Sequence, residues 1–548
     1  MFRFRLLLLL VLLAVRPALG QDDASALAQK RWFEVRTAHF HIYSCGEWQD
    51  TYRLAGQLEQ FCRAYAMLAG KDAVASPPIV VLAFPDHDAM KPFLPLYNGQ
   101  PGNIAGFFTR GTDENLIVLS LDAPDMSVIF HEYAHLLFRR NDLLWPVWLK
   151  EGMAEIYSTF TLSGRYVEIA RPIDRHLQTL ASEPLMPLDE LFSVTTKSPQ
   201  YNEATRQGVF YAESWLLTHY LIAGDNAVLR ARFAQFTPLL QTGQMPEQAF
   251  TNALGASEEA IQHALRRYLA RGEFDPIVLK LSGTLSAPVN VSTERVTPVE
   301  ILFRFGDEQL RIGRLDNAQD WFTRAQQLAP ASPLPYEGLG LLASQRGDSG
   351  GAIADLQQAL HLGSDSFLAY YIYAQEKYHL TANGSDMYAP LHGDLADEIR
   401  GELEKSIALM PNFASAHELL GFFEMVQGSD LADAEQQLSQ AIALEPENPS
   451  YQFTLAQVQL RNRDFDDARR TLAPLLLPNV DVKLRAARSN SRNRSTAALR
   501  IEEVCIIFWF NLPVQPACFW PPSPTKNKQS FFSEKGLNRL NTSTWGLA

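Results

Sequence analysis

The chain has 548 residues, the length of about three or four average domains, so modular organisation is expected rather than one compact core. Its 47% hydrophobic, 11% aromatic and 20% charged residues exclude a disordered, collagenous or disulfide-dense protein. Lys+Arg 48 against Asp+Glu 61 leaves a net charge of −13, which argues against nucleic acid as a partner, because that affinity needs basic surface to displace counterions.

Met1 to Gly20 reads as a secretory signal, with Arg3 and Arg5, an apolar run from Leu6 to Val15, and Ala18-Leu19-Gly20 as a cleavage site. The run is about half the roughly 20 apolar residues a bilayer span needs, so release is expected rather than anchoring. The mature chain is then expected in the periplasm or outside the cell, with no transmembrane span. Cys45 and Cys62 could form a bridge there or stay as buried thiols, and the sequence leaves both open.

Trp32 to Tyr43 has the alternation of a strand, and Thr51 to Met67 the period of a helix. Ile79 to Phe84 and Leu116 to Ser120 are short apolar runs bounded by Pro, Gly and Asp, as buried strands are. Strand signals then stop. Amphipathic helices are predicted at Met126 to Arg140, Val147 to Phe160, Gln207 to Ile222 and Ala260 to Arg271, so residues 30–280 are expected to form one α+β domain, a small sheet plus helices. Residues 281–297 read as a linker.

Residues 298–480 repeat. Gly306, Gly313, Ala318, Phe322, Ala325 and Pro330 recur 34 residues later as Gly340, Gly347, Ala352, Leu356, Ala359 and Ser364. The register returns at Gly421, Gly428, Ala434, Leu438, Ala441 and Pro446, and weakly at Phe465, Ala468 and Leu472. These units resemble tetratricopeptide repeats, about five in all, one broken by an insertion near 381–397. The resemblance implies an all-α solenoid that binds a protein partner. Gly338 to Ala343 mimics a dinucleotide fingerprint but follows no strand and lies in a repeat helix. Residues 481–548 carry ten Lys/Arg against four Asp/Glu and read as a basic tail without a fold.

His131-Glu132-Tyr133-Ala134-His135 lies within a predicted helix, with Asp122 or Asp125 available as its cap. Residues four apart share a helix face, so both imidazoles can reach one tetrahedral Zn²⁺ while Glu132 projects beside the metal's open position. The next predicted helix, started by Pro146, carries Glu151 and Glu155 one turn apart. Glu151 could complete the protein ligands, and Glu155 could accept the free ring N–H of a ligand histidine.

With Trp148-Leu149-Lys150-Glu151-Gly152-Met153-Ala154 following the His131 to His135 motif, the sequence resembles the gluzincin (peptidase MA-like) metallopeptidases, specifically over Phe130 to Tyr157. The resemblance implies a zincin-like catalytic domain with His131, His135 and Glu151 as zinc ligands and Glu132 as general base. Glu132 would take the proton of a zinc-acidified water and later deliver it to the leaving amine. Many gluzincins add a downstream oxyanion donor; Tyr211 is the first candidate, with Tyr201 and His219 as alternatives. Asn103 to Phe108 lacks the glutamate of the aminopeptidase branch, and Phe138 and Asn141 stand where a metzincin needs Gly and a third His. The expectation is therefore an exported zinc endopeptidase whose repeats recruit a protein substrate or partner. The alternative is a repeat-based scaffold carrying a catalytically weak or inactive zincin-like domain.

Overall fold

A computed structural model describes residues 21–476, except 70–78, 98–99, 103, 112, 124–125, 139–143, 203, 282–290, 383–389, 429 and 447. The predicted signal and basic tail lie outside the described residues. Helix α1 (Gln21–Ala28) precedes strands β1 (Phe33–Arg36) and β2 (Phe40–Ser44). The single strand expected over Trp32 to Tyr43 is thus a hairpin: Thr37 N donates to Phe40 O at 2.9 Å and turns the chain back. Helix α2 (Trp48–Ala69) follows, then β3 (Ile79–Phe84), β4 (Gly106–Thr109) and β5 (Asn115–Ser120). Next come α3 (Ser127–Phe138) and α4 (Val147–Ser158).

The main sheet runs β9-β1-β2-β3-β5-β4, where β9 is Ser292–Arg295. The neighbours β2, β3 and β5 are parallel and the remaining pairs antiparallel. All six residues of β3 are buried, as a central strand covered on both faces requires. Ile79, Val81 and Ala83 face one core with α2, α3 and α4, while Val80, Leu82 and Phe84 face another.

Three short strands, Thr161–Ser163, Tyr166–Ile169 and Ile277–Lys280, make a second antiparallel sheet that the sequence reading did not expect after Ser120. They span only three or four residues each, and Ile277–Lys280 alternates half-buried with exposed positions, so none carries an apolar run as long as those of β3 and β5. Between them lie α5 (Asp174–Ser182), a short helix Pro199–Asn202, α6 (Ala204–Ile222) and Glu258–Arg271.

The expected linker 281–297 contains β9, which pairs antiparallel with β1, Phe33 opposite Arg295. Its four residues are all exposed, which is why hydrophobic patterning passes it over. Five antiparallel helix pairs follow: Pro298–Arg311 (α7) with Leu315–Leu328 (α8), Leu334–Gln345 with Ser349–His361, Phe367–Ala382 with Asp394–Leu409, Ala414–Gln427 with Leu431–Leu444, and Pro449–Arg461 with Phe465–Leu472. Small residues at the predicted positions let the pairs approach: a methyl on Gly340 would run into Leu356, and one on Gly421 into Leu438. Gly338 to Ala343 lie inside Leu334–Gln345. Among the described residues no helix is long and apolar enough to cross a membrane.

The first repeat closes the second face of the main sheet. Ile301, Leu302 and Phe305 of α7 and Trp321 and Ala325 of α8 pack with Val80, Leu82, Phe84, Phe93, Leu116 and Val118. Arg304 adds an ion pair to Glu114 at 2.9 Å and stacks over Tyr43. The central strands of the sheet are therefore covered on both faces, and the second core is shared with the repeats.

Candidate metal centre

Helix α3 buries Ile129, Phe130, Tyr133, Ala134, Leu136 and Phe138, leaving His131, Glu132 and His135 half-buried on its other side. Of its two expected caps, Asp122 accepts the Ser120 hydroxyl, and Asp125 lies outside the described residues. Ala134 and Ala154 meet where α3 crosses α4. Gly152 sets the spacing on the far side of α4, since a methyl there would collide with the Ser214 carbonyl and the Thr218 side chain of α6. Small residues thus bring three helices to one site.

His131 Nε2 and His135 Nε2 stand 3.2 Å apart. Glu151 Oε2 lies 3.3 Å from His135 Nε2 and 3.4 Å from His131 Nε2. Four-coordinate zinc with bonds of about 2.0–2.1 Å holds neighbouring ligand atoms roughly 3.3 Å apart, so the near-equilateral triangle fits that ion. Among the described residues these three form the one group of His, Cys, Asp and Glu able to hold a metal together. Burial alone would depress the His131 imidazole, but Glu151, Glu155 and Glu132 around it push it up to about 9. Burial would raise the Glu151 carboxyl, yet His131 and His135 hold it down to about 2.

Glu155 Oε1 stands 3.5 Å from His131 Nδ1. Two partners that the sequence reading missed fix it from behind: His176 Nε2 at 3.2 Å and Arg175 Nη2 at 3.1 Å, both from α5. Nothing in the local pattern of a short helix announces that role. Against the effect of burial, His176, His131 and Arg175 keep Glu155 ionised, with its pKa lowered to about 2. A cavity of about 690 Å³ flanks the triad rather than covering it, lined by Ser127 and Phe130 of α3 and by Ser158 and Arg175.

The three oxyanion-donor candidates separate. Tyr201 Oη donates to Glu151 Oε1 at 3.1 Å, and Tyr211 bonds Tyr201 and sets its ring 6.3 Å from that of His131. Both phenols are at the site. Burial, then the Glu151 charge, push the Tyr201 phenol well up, so it stays a proton donor. His219 is elsewhere: Nε2 donates to Ala170 O at 3.0 Å, Nδ1 accepts the Tyr268 hydroxyl at 2.8 Å, and burial lowers its pKa. Cys45 and Cys62 are free thiols, and Cys62 Sγ accepts the Tyr133 hydroxyl at 3.1 Å.

The tetratricopeptide repeat family model matches residues 425–490. Solved structures similar to the chain include YrrB, described as a tetratricopeptide-repeat protein with an unusual peptide-binding site (15% identity, 34% of this chain and 90% of that one, TM-score 0.29). Others are MamA from Desulfovibrio magneticus RS-1 (18%, 35% and 96%, TM-score 0.27) and PilF of Pseudomonas aeruginosa (15%, 39% and 89%, TM-score 0.29). No curated protein matches the chain. The C-terminal part is a tetratricopeptide-repeat array, a fold that supplies surfaces for protein partners.

Proposed function

We propose that the chain is an exported zinc endopeptidase whose repeats recruit the protein it cleaves. The observation that carries this reading is the triangle of His131, His135 and Glu151 donor atoms, with sides of 3.2 to 3.4 Å, beside the half-buried Glu132. When bound, zinc would acidify a water and polarise a peptide carbonyl. Glu132, on the helix turn that carries His131, takes the proton of the attacking water and passes it to the leaving amine. Tyr211 or Tyr201 donates to the developing oxyanion from the α6 side. Glu155 keeps the His131 ring oriented through Nδ1.

A second reading keeps the protein-binding repeats and gives the N-terminal domain a zinc-holding role with little turnover. It is favoured by the family match, which covers residues 425–490 and none of the N-terminal domain. One experiment separates the two: zinc content and cleavage of a denatured protein for wild type, Glu132→Gln and Glu151→Ala. The peptidase reading expects one zinc per chain, turnover abolished in Glu132→Gln with zinc retained, and weakened zinc in Glu151→Ala. Zinc without turnover in wild type would favour the scaffold, and no zinc after reconstitution would remove the metal centre from both.

A further inference from the structure

Where the first repeat docks on the N-terminal domain the two bodies leave a cavity of about 560 Å³. That size lies within the range of small-molecule sites, which favour domain interfaces. Four cations line it: Lys30 and Arg31 ahead of β1, Arg295 at the end of β9, and Arg324 on α8. Its apolar lining comes from Trp32, Ile301, Leu302, Trp321 and Leu328, the last 56% exposed.

The balance of charge is what sets this cavity apart. The chain as a whole carries −13, yet no acidic residue is among the described residues lining the cavity. Arg324 is held in place, donating to Ser25 Oγ at 2.6 Å and lying 4.9 Å over the Trp321 ring. Lys30, Arg31 and Arg295 are exposed and make no ion pair among the described residues. The N-terminus of α7 opens onto the same space through Thr297 and Pro298, adding partial positive charge. A concave wall of one sign backed by apolar surface focuses its field on an anion that enters.

We propose that this cavity binds a single-chain anionic amphiphile, its acid group among the four cations and its apolar chain along Trp321, Leu302 and Leu328. A free acid and a lipid headgroup share that chemistry, and the cavity accepts the free, single-chain form. The site exists only when the repeats are docked, so its occupant bridges both parts of the molecule.

The test titrates the chain from Gln21 onward with dodecanoate below its micelle concentration, followed by calorimetry. Saturable binding of one equivalent is expected, weakened at least tenfold in Arg31→Gln/Arg295→Gln, whose side chains are exposed and leave the fold intact by its melting temperature. Dodecyltrimethylammonium, with the same chain and the opposite charge, should not bind. Equal binding of the cationic surfactant, or unchanged affinity in the double variant, would overturn the proposal. So would sedimentation with phosphatidylglycerol vesicles without saturable dodecanoate binding, which would assign the charge to a membrane-facing surface.

Discussion

Arg311, in the first helix of the repeats, closes a two-pronged ion pair on Asp113 in the β4–β5 turn, with Nη1 3.1 Å from Oδ1 and Nη2 2.5 Å from Oδ2. Its Nε also meets Asp307 at 2.9 Å, and the side chain is 1% exposed. A buried guanidinium among carboxylates is stabilising mainly against its own removal, because the acids left behind lose their counter-charge. Arg311→Gln should therefore destabilise the full chain by about 3–5 kcal/mol. Asp113→Asn should cost less, since Asp307 and Glu114 remain. Urea denaturation of the two variants checks the order.

Phe305 is fully buried, its ring 4.5 Å from Phe93, 5.5 Å from Trp32 and 5.3 Å from Trp321. Phe305→Ala should cost about 3–5 kcal/mol. A chain ending at Lys280 would bare Val80, Leu82, Phe84 and Val118 together and should aggregate. A soluble, cooperatively melting fragment of residues 21–280 would refute the shared core.

Glu155 Oε1 lies 3.5 Å from His131 Nδ1, and Arg175 and His176 approach the same carboxylate at 3.1 and 3.2 Å. Glu155→Ala should weaken zinc binding by roughly 10–100-fold, the usual scale for losing such support. Arg175→Gln should lose less, because its side chain is 63% exposed. Competition with a chromogenic chelator measures both without reference to catalysis.

The tyrosines predict different phenotypes. Tyr201 orients Glu151, so Tyr201→Phe should lower zinc affinity measurably. Tyr211 bonds Tyr201 and sets its ring 6.3 Å from that of His131, so Tyr211→Phe should keep zinc and lose kcat. Identical zinc affinities for the two variants, each matching wild type, would contradict the role given to Tyr201.

His39 joins Cys62 and Glu59, and those bonds outweigh burial to raise the imidazole from 6.5 to about 10. A raised histidine contributes fully below about pH 6.5 and loses its contribution as pH rises through about 10. Against burial, His39 holds Glu59 below its ordinary value of 4.5, so that part is present above 4.5 and lost as pH falls. The melting-temperature deficit of His39→Gln should be largest near pH 6 and shrink toward pH 10. A deficit independent of pH would count against the pair.

Elements that bury a repeating apolar pattern were legible in the sequence: β3, α3 and α4 lie within a few residues of their expected spans, and recurring small residues such as Gly340 and Gly421 fall inside the paired repeat helices. That His131 and His135 share one side of α3 was legible too, because four-residue spacing on a helix is itself geometry. What escaped was polar or distant. Strand β9 is Ser-Thr-Glu-Arg, exposed throughout, and joins the sheet only through backbone bonds to β1. Arg175 and His176 reach Glu155 from 20 residues or more along the chain, a placement that α5 and α6 packing decides. Tyr201 and Tyr211 could not be ranked without knowing which phenol faces Glu151.

Strand β9 also fixes an order of events. Strand β1 has β2 beside it within a few residues, but its other edge is covered only by Ser292 to Arg295. Until the ribosome has delivered those residues, that edge is open to pairing with any extended segment, and the sheet's second face is covered only in part, by residues such as Leu27, Met90 and Phe93. Both the last edge of the sheet and the rest of its second core thus come from beyond residue 290, so a growing chain holds an incomplete sheet until the first repeat emerges.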